Sequence, residues 1–105
     1  MAGIAEMALG IATTLRSGIA PYPLPVELWG YAPEDAAQLV KFAIDECVDA
    51  GIVLREIRVD PVIVHELTGS KSEFGVFHRD VPISADTACR GRVDIYRAKT
   101  ESRGL

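Results

Sequence analysis

Residues 33–51, Pro-Glu-Asp-Ala-Ala-Gln-Leu-Val-Lys-Phe-Ala-Ile-Asp-Glu-Cys-Val-Asp-Ala-Gly, are the stretch whose reading decides the fold. Pro33 suits a first helical position, because the first N–H of a helix has no intrahelical partner and proline's φ is already helical. Glu34 and Asp35 place negative charge at the positive end of the helix dipole. Gly51 suits the left-handed residue just past a helix end. Between these signals Ala36, Val40, Ala43, Ile44 and Cys47 recur at helical spacing, and Leu39 and Val48 widen the face. Glu34, Gln38, Lys41, Asp45 and Asp49 line the opposite face. Burying the apolar face contributes roughly 1.5–3 kcal/mol per large side chain, so this is a core helix against which the remaining segments pack.

Upstream, Ile4, Ala8, Ile11 and Leu15 share one face of a shorter helix over residues 3–17, with Gly18 as its stop. Gly10 weakens it by roughly 1 kcal/mol relative to alanine. At that length it is not stable alone, so it docks on its own domain or on a neighbour. Pro21-Tyr22-Pro23-Leu24-Pro25 reads as a stiff, extended connector over residues 21–32 rather than as a polyproline ligand, because no Arg or Lys flanks it. Trp29 is expected to cover one end of the core, with Tyr31 leading into the helix.

Downstream, Ile52–Val59 is β-branched and reads as a strand with Val53, Ile57 and Val59 on one side. Asp60-Pro61 is a capping acid followed by proline and starts a short helix over Pro61–Thr68. Residues 69–73 are a polar loop. Phe74–His78 and Val81–Ser84 are short strands about a turn at Arg79-Asp80, with Pro82 marking the second as an edge or irregular strand. Residues 85–90 form a loop. Arg92–Ala98 is the last strand, with Val93 and Ile95 inward and Asp94 and Tyr96 outward. Residues 99–105 are a polar tail. The expectation is a single α+β domain over residues 1–105: two to three helices packed on one face of a small, mainly antiparallel sheet.

At 105 residues, with 49% hydrophobic and 25% charged side chains, the chain suffices for one modest core. A net charge of −4 argues against a general nucleic-acid binder. Residues 1–66 carry ten acids against four Lys or Arg, and residues 67–105 five against seven. That split fits intramolecular pairing, or an acidic and a basic face suited to self-association or a charged protein partner. The apolar N-terminus is broken by Glu6 and Arg16, which argues against a membrane span or signal, and cytoplasmic residence is the default.

Chemistry-bearing residues are sparse. Cys47, His65, His78 and Cys89 match no zinc spacing, and no phosphate-binding glycine loop is present, so no cofactor or metal is expected. The candidates for an enzymatic or ligand site in the C-terminal loops are His78, Asp80, Cys89 and Arg90. Arg90 and Arg92 supply the local positive charge that a reactive thiol requires. Asp45 and Asp49 stand one turn apart; with Glu46 they form an acidic strip that is either a solvated face or a surface for a basic partner. Asp45, Glu46, Asp49, Trp29 and Tyr31 are therefore the candidate interaction residues.

Ile57-Arg58-Val59-Asp60-Pro61, Leu67, Phe74-Gly75-Val76 and Val81-Pro82-Ile83-Ser84-Ala85-Asp86 together resemble the peripheral domain of tailed-phage capsid-type proteins. The resemblance spans residues 57–86. It implies a virion component, or a phage-encoded accessory protein, and carries no catalytic residues. Three functions follow as expectations: a non-enzymatic protein-interaction or assembly module, a small enzyme or ligand-binding domain, and an acidic phage-encoded inhibitor of a host protein.

Overall fold

The helix expected from residue 33 forms as α2 (Pro33–Asp49), and the rest of the chain is arranged about it. The computed structural model describes residues 3–18, 21–68 and 76–98. The expected loop over 69–73, residues 74–75 of the expected strand, and the tail over 99–105 lie outside the described residues. α1 (Ile4–Arg16) precedes α2, and α3 (Pro61–Thr68) follows it. The strands are β1 (Leu24–Glu27), β2 (Leu54–Val59), β3 (Val76–His78), β4 (Val81–Ala85) and β5 (Arg92–Arg97). They form one sheet in the order β1-β5-β2-β4-β3, antiparallel except for the β2–β4 pair. This is the α+β class, with the helices on one face.

The core lies between that face and the helices. Leu39, Val40, Ala43, Ile44 and Cys47 of α2 and Ile11, Ala12 and Leu15 of α1 pack onto Ile57, Val59, Ile83, Val93 and Ile95. α1 thus docks on its own domain, and Arg97 donates at 3.1 Å to the Leu15 carbonyl oxygen, which also accepts the Gly18 N–H at 3.3 Å at the end of α1. α3 starts as its sequence indicates: Asp60 Oδ1 accepts from the Val62 N–H at 3.0 Å, the proline follows the cap, and Ile63 enters the core. A cavity of about 10 Å³ remains among Ile11, Leu39, Ile44, Cys47, Leu54, Ile57 and Ile95. It is lined by apolar groups and offers water no polar partners, so it stays dry.

Three local readings are corrected. The expected connector over 21–32 contains β1, whose Leu24 and Val26 pair with Ile95 and Val93. Prolines are tolerated there because β1 is an edge strand, where a missing donor breaks no interior hydrogen bond. In β2 a register shift between Leu54 and Glu56 turns Leu54 inward and leaves Val53 68% exposed. The bulge inserts a residue and so reverses the alternation that had placed Val53 inside. Finally, β4 is an interior strand. The closing pair of a two-residue hairpin, His78 with Val81, is hydrogen-bonded, so the next pair, Phe77 with Pro82, turns its backbone groups outward. Pairing with β2 begins only at Ile83, one residue after Pro82, and the missing N–H faces a position where pairing has not begun.

That hairpin turn holds both central residues at positive φ, Arg79 at 53° and Asp80 at 67°. Such turns favour Asn-Gly, because glycine adopts this backbone without Cβ strain. Asp80→Gly is expected to raise stability by about 0.5–1 kcal/mol in chemical denaturation. A loss of stability would mean that the Asp80 side chain holds the turn.

Candidate interaction surface

Each strand alternates its side chains, so the sheet has a second face that carries no helix. The register places Pro25 and Glu27 of β1, Arg92, Asp94 and Tyr96 of β5, and Glu56 and Arg58 of β2 on it. Pro82 and Ser84 of β4 and Phe77 of β3 complete it. Its arginines are paired within the chain. Arg58 donates to Glu56 at 3.2 Å and lies 3.9 Å from Asp86. Arg92 donates from Nε to Asp94 Oδ1 at 2.9 Å. The Arg58 guanidinium lies 5.0 Å from the Tyr96 ring centre, and Tyr22 meets Tyr96 edge-on at 5.6 Å. The Tyr22 hydroxyl accepts from Arg55 at 3.2 Å.

Trp29 stands just past the end of β1, against Gly91 just before β5. Leu28 is buried and its N–H bonds the Gly91 carbonyl, so the chain turns the next side chain away from the core. Trp29 is 70% exposed, and this corrects the expectation that it covers the core. Its six-membered ring rests on Gly91, where an added Cβ would come within 2.7 Å of the indole. Gly91 has φ of +66° and is pinned by Asp60 Oδ2, which accepts its N–H at 2.8 Å. The indole is therefore seated on a fixed piece of backbone. Phe77, 58% exposed, stands at the opposite edge, and Tyr31 is half-buried against the core.

The site residues expected from the sequence do not assemble. His78 and the turn reach α2: His78 Nε2 lies 2.9 Å from Asp45 Oδ1, and Arg79 bonds both Asp45 and Asp49 at 3.2 Å. Two acids of the strip are thus clasped from the β3–β4 hairpin, and Glu46 lies outside that clasp. Cys89 lies elsewhere, in the β4–β5 loop. Its thiol donates to Asp94 Oδ2 at 3.4 Å, and it is fully buried. Burial first, then the Asp94 carboxylate, pushes the Cys89 pKa up, while Arg92 opposes the rise. A thiol held neutral is a poor nucleophile. Asp80 and Arg90 are exposed, one in the β3–β4 turn and the other in the β4–β5 loop. Among the described residues no group of three His, Cys, Asp or Glu side chains is placed to hold a metal ion.

Asp94 is 8% exposed, although strand alternation puts it on the outer side. Cys89 and Arg92 cover it there. The proximity of a thiol, an arginine and an aspartate within residues 89–94 was the signal available in the sequence.

Cys47, in the core, has its pKa pushed up to about 11 from 9.0, by burial and then by Glu46. It holds its proton more tightly folded than unfolded. Its contribution to stability is therefore complete below about pH 9 and is lost as pH rises toward about 11. Denaturation midpoints should fall more steeply across that window in the wild type than in Cys47→Ala; parallel slopes would contradict the assignment.

No helix among the described residues is long and apolar enough to cross a membrane. Comparison with protein-family models, curated proteins and solved structures finds no match to this chain.

Proposed function

We propose that the protein is a non-enzymatic interaction or assembly module that meets another protein through the helix-free face of its sheet. The observation that carries this reading is the make-up of that face. Trp29, Tyr22, Tyr96 and Phe77 are set about a centre of arginines paired with carboxylates. Interfaces are enriched in Trp, Tyr, Phe and Arg and depleted in Lys, and among the described residues no lysine stands on this face. Large aromatic side chains held in place lose little entropy on binding, which is why they dominate binding energy. Each arginine stands beside a carboxylate, so the face is balanced in charge rather than basic, and this favours protein over nucleic acid. In the phage setting that the 57–86 pattern implies, such a module would be a virion or accessory component.

The other two readings gain less. An enzymatic site would need His78, Asp80, Cys89 and Arg90 together, and they are divided between the α2 side and the β4–β5 loop. An inhibitor presenting acids would need Asp45 and Asp49 free, and both are held by Arg79.

Immobilised wild-type chain is expected to retain a specific partner that the Trp29→Ala/Phe77→Ser double variant loses, with both folded by circular dichroism. Undiminished retention by the double variant, with loss in Asp45→Asn/Asp49→Asn, would transfer the interface to the acidic helix.

A further inference from the structure

The register of the uncovered face has a charge pattern that bears on what covers it. Pro25, Asp94, Arg58 and Ser84 lie side by side in one row across β1, β5, β2 and β4. In the next row Tyr96 and Glu56 are neighbours, and Pro82 and Phe77 follow toward the β3 edge. At the centre of the face an acid and an arginine therefore sit on adjacent strands at the same height. A line drawn parallel to the strands between β5 and β2 separates them. Turning a second copy over about that line places Arg58 of each molecule against Asp94 of the other. The same rotation sets Ser84 against Pro25, and carries the Phe77 edge toward the Tyr22 corner. The two central contacts are thus of opposite charge; beside them Ser84 meets Pro25, and in the next row Glu56 meets Tyr96. Asp94 already accepts from Arg92 and Cys89, but 11% of its side chain stays exposed. A carboxylate has about four acceptor positions, so a second guanidinium can approach from outside.

We infer that the partner of this face is a second copy of the same chain, docked sheet to sheet about a two-fold axis running between β2 and β5. This rests on the reading of the face as a protein interface and narrows it to one occupant. A two-fold contact needs a surface that is its own complement, and the Arg58–Asp94 neighbours provide that. Stacked sheets lie about 10 Å apart, so Arg58 meets the second copy by turning its guanidinium outward from Glu56 and Tyr96.

The size of the face sets the strength. Four strands at about 4.8 Å spacing and six residues at about 3.4 Å give roughly 400 Å² in projection. That is about half of the ~800 Å² per partner in a standard stable interface. The central ion pairs also resist complete dehydration, because removing paired charges from water is costly. The dimer is therefore weak and reversible, and forms at protein concentrations of about 0.1–1 mM.

Sedimentation equilibrium of the full chain across that range tests the inference. The wild type is expected to show a concentration-dependent monomer–dimer equilibrium. Arg58→Glu at a half-buried position and Phe77→Glu at an exposed one should each weaken it by roughly 10-fold or more, while Lys41→Glu on the helix side leaves it unchanged. Circular dichroism checks that each variant is folded. A wild type that stays monomeric to about 1 mM overturns the second copy as occupant, and a partner still retained through Trp29 and Phe77 would then leave the interface reading standing. Dimerisation unaffected by either face variant places self-association elsewhere and also overturns it.

Discussion

Ile44→Ala should lower stability by about 3–4 kcal/mol, within the range measured for buried Ile-to-Ala changes. Ile44 is 1% exposed, on the inner face of α2. It already borders the small dry cavity between α1, α2 and the sheet. Removing three carbons joins the new space to the old one. Its walls belong to two helices and the sheet, so no single element can move in to close it, and close packing makes every lost contact count. In a domain of this size the melting temperature should drop by roughly 12–20 °C. Differential scanning calorimetry reads this directly; a drop under about 1 kcal/mol would mean that the site collapses on truncation.

Leu15→Ala should be nearly as damaging, at about 2.5–4 kcal/mol. Leu15 is 1% exposed and, with Ile11, is one of the two large α1 side chains in the core. More than a cavity is at stake. The inward face of α1 relies on small residues, Ala8 and Ala12, with Ile11 and Leu15 supplying most of its buried volume. An isolated helix of 13 residues is marginal in water, so its order depends on this docking. If α1 is part of one cooperative unit, the variant melts in a single transition with helix and aromatic signals coincident. Separate transitions, or a cost below about 1 kcal/mol, would make α1 an appendage.

Much of this fold can be read from residue order where signals are local. α2 has caps, charge placement and period in agreement, and its bounds follow. α3 is set by Asp60-Pro61 alone, against the β-branched run Val62-Ile63-Val64 that would otherwise favour extended chain. What escaped depends on distant partners. Three prolines in five residues hide β1 until β5 is known to lie beside it. The bulge at Arg55 leaves no mark in composition, yet it inverts which of Val53 and Leu54 is buried. Asp45 and Asp49 read as solvated because Arg79 is some 30 residues away in sequence. The candidate site was legible only in part: Trp29 was singled out as an interaction residue and also as a cover for the core, of which its exposure overturns the second, and Arg58 and Phe77 acquire meaning only from the register of the sheet.

The strand order also governs how this polypeptide is made. β5, the last of the described strands in sequence, is inserted between β1 and β2, and in the sheet β1 pairs with it alone. While Arg92–Arg97 are still inside the ribosome, β1 has nothing to pair with and the middle of the sheet is missing. α1 and α2 are free to collapse early, since their contacts close a shorter stretch of chain than the β1–β5 pairing does. The sheet waits for release of β5, and a nascent chain stalled before it would expose the apolar side of α2 to whatever chaperone stands nearest.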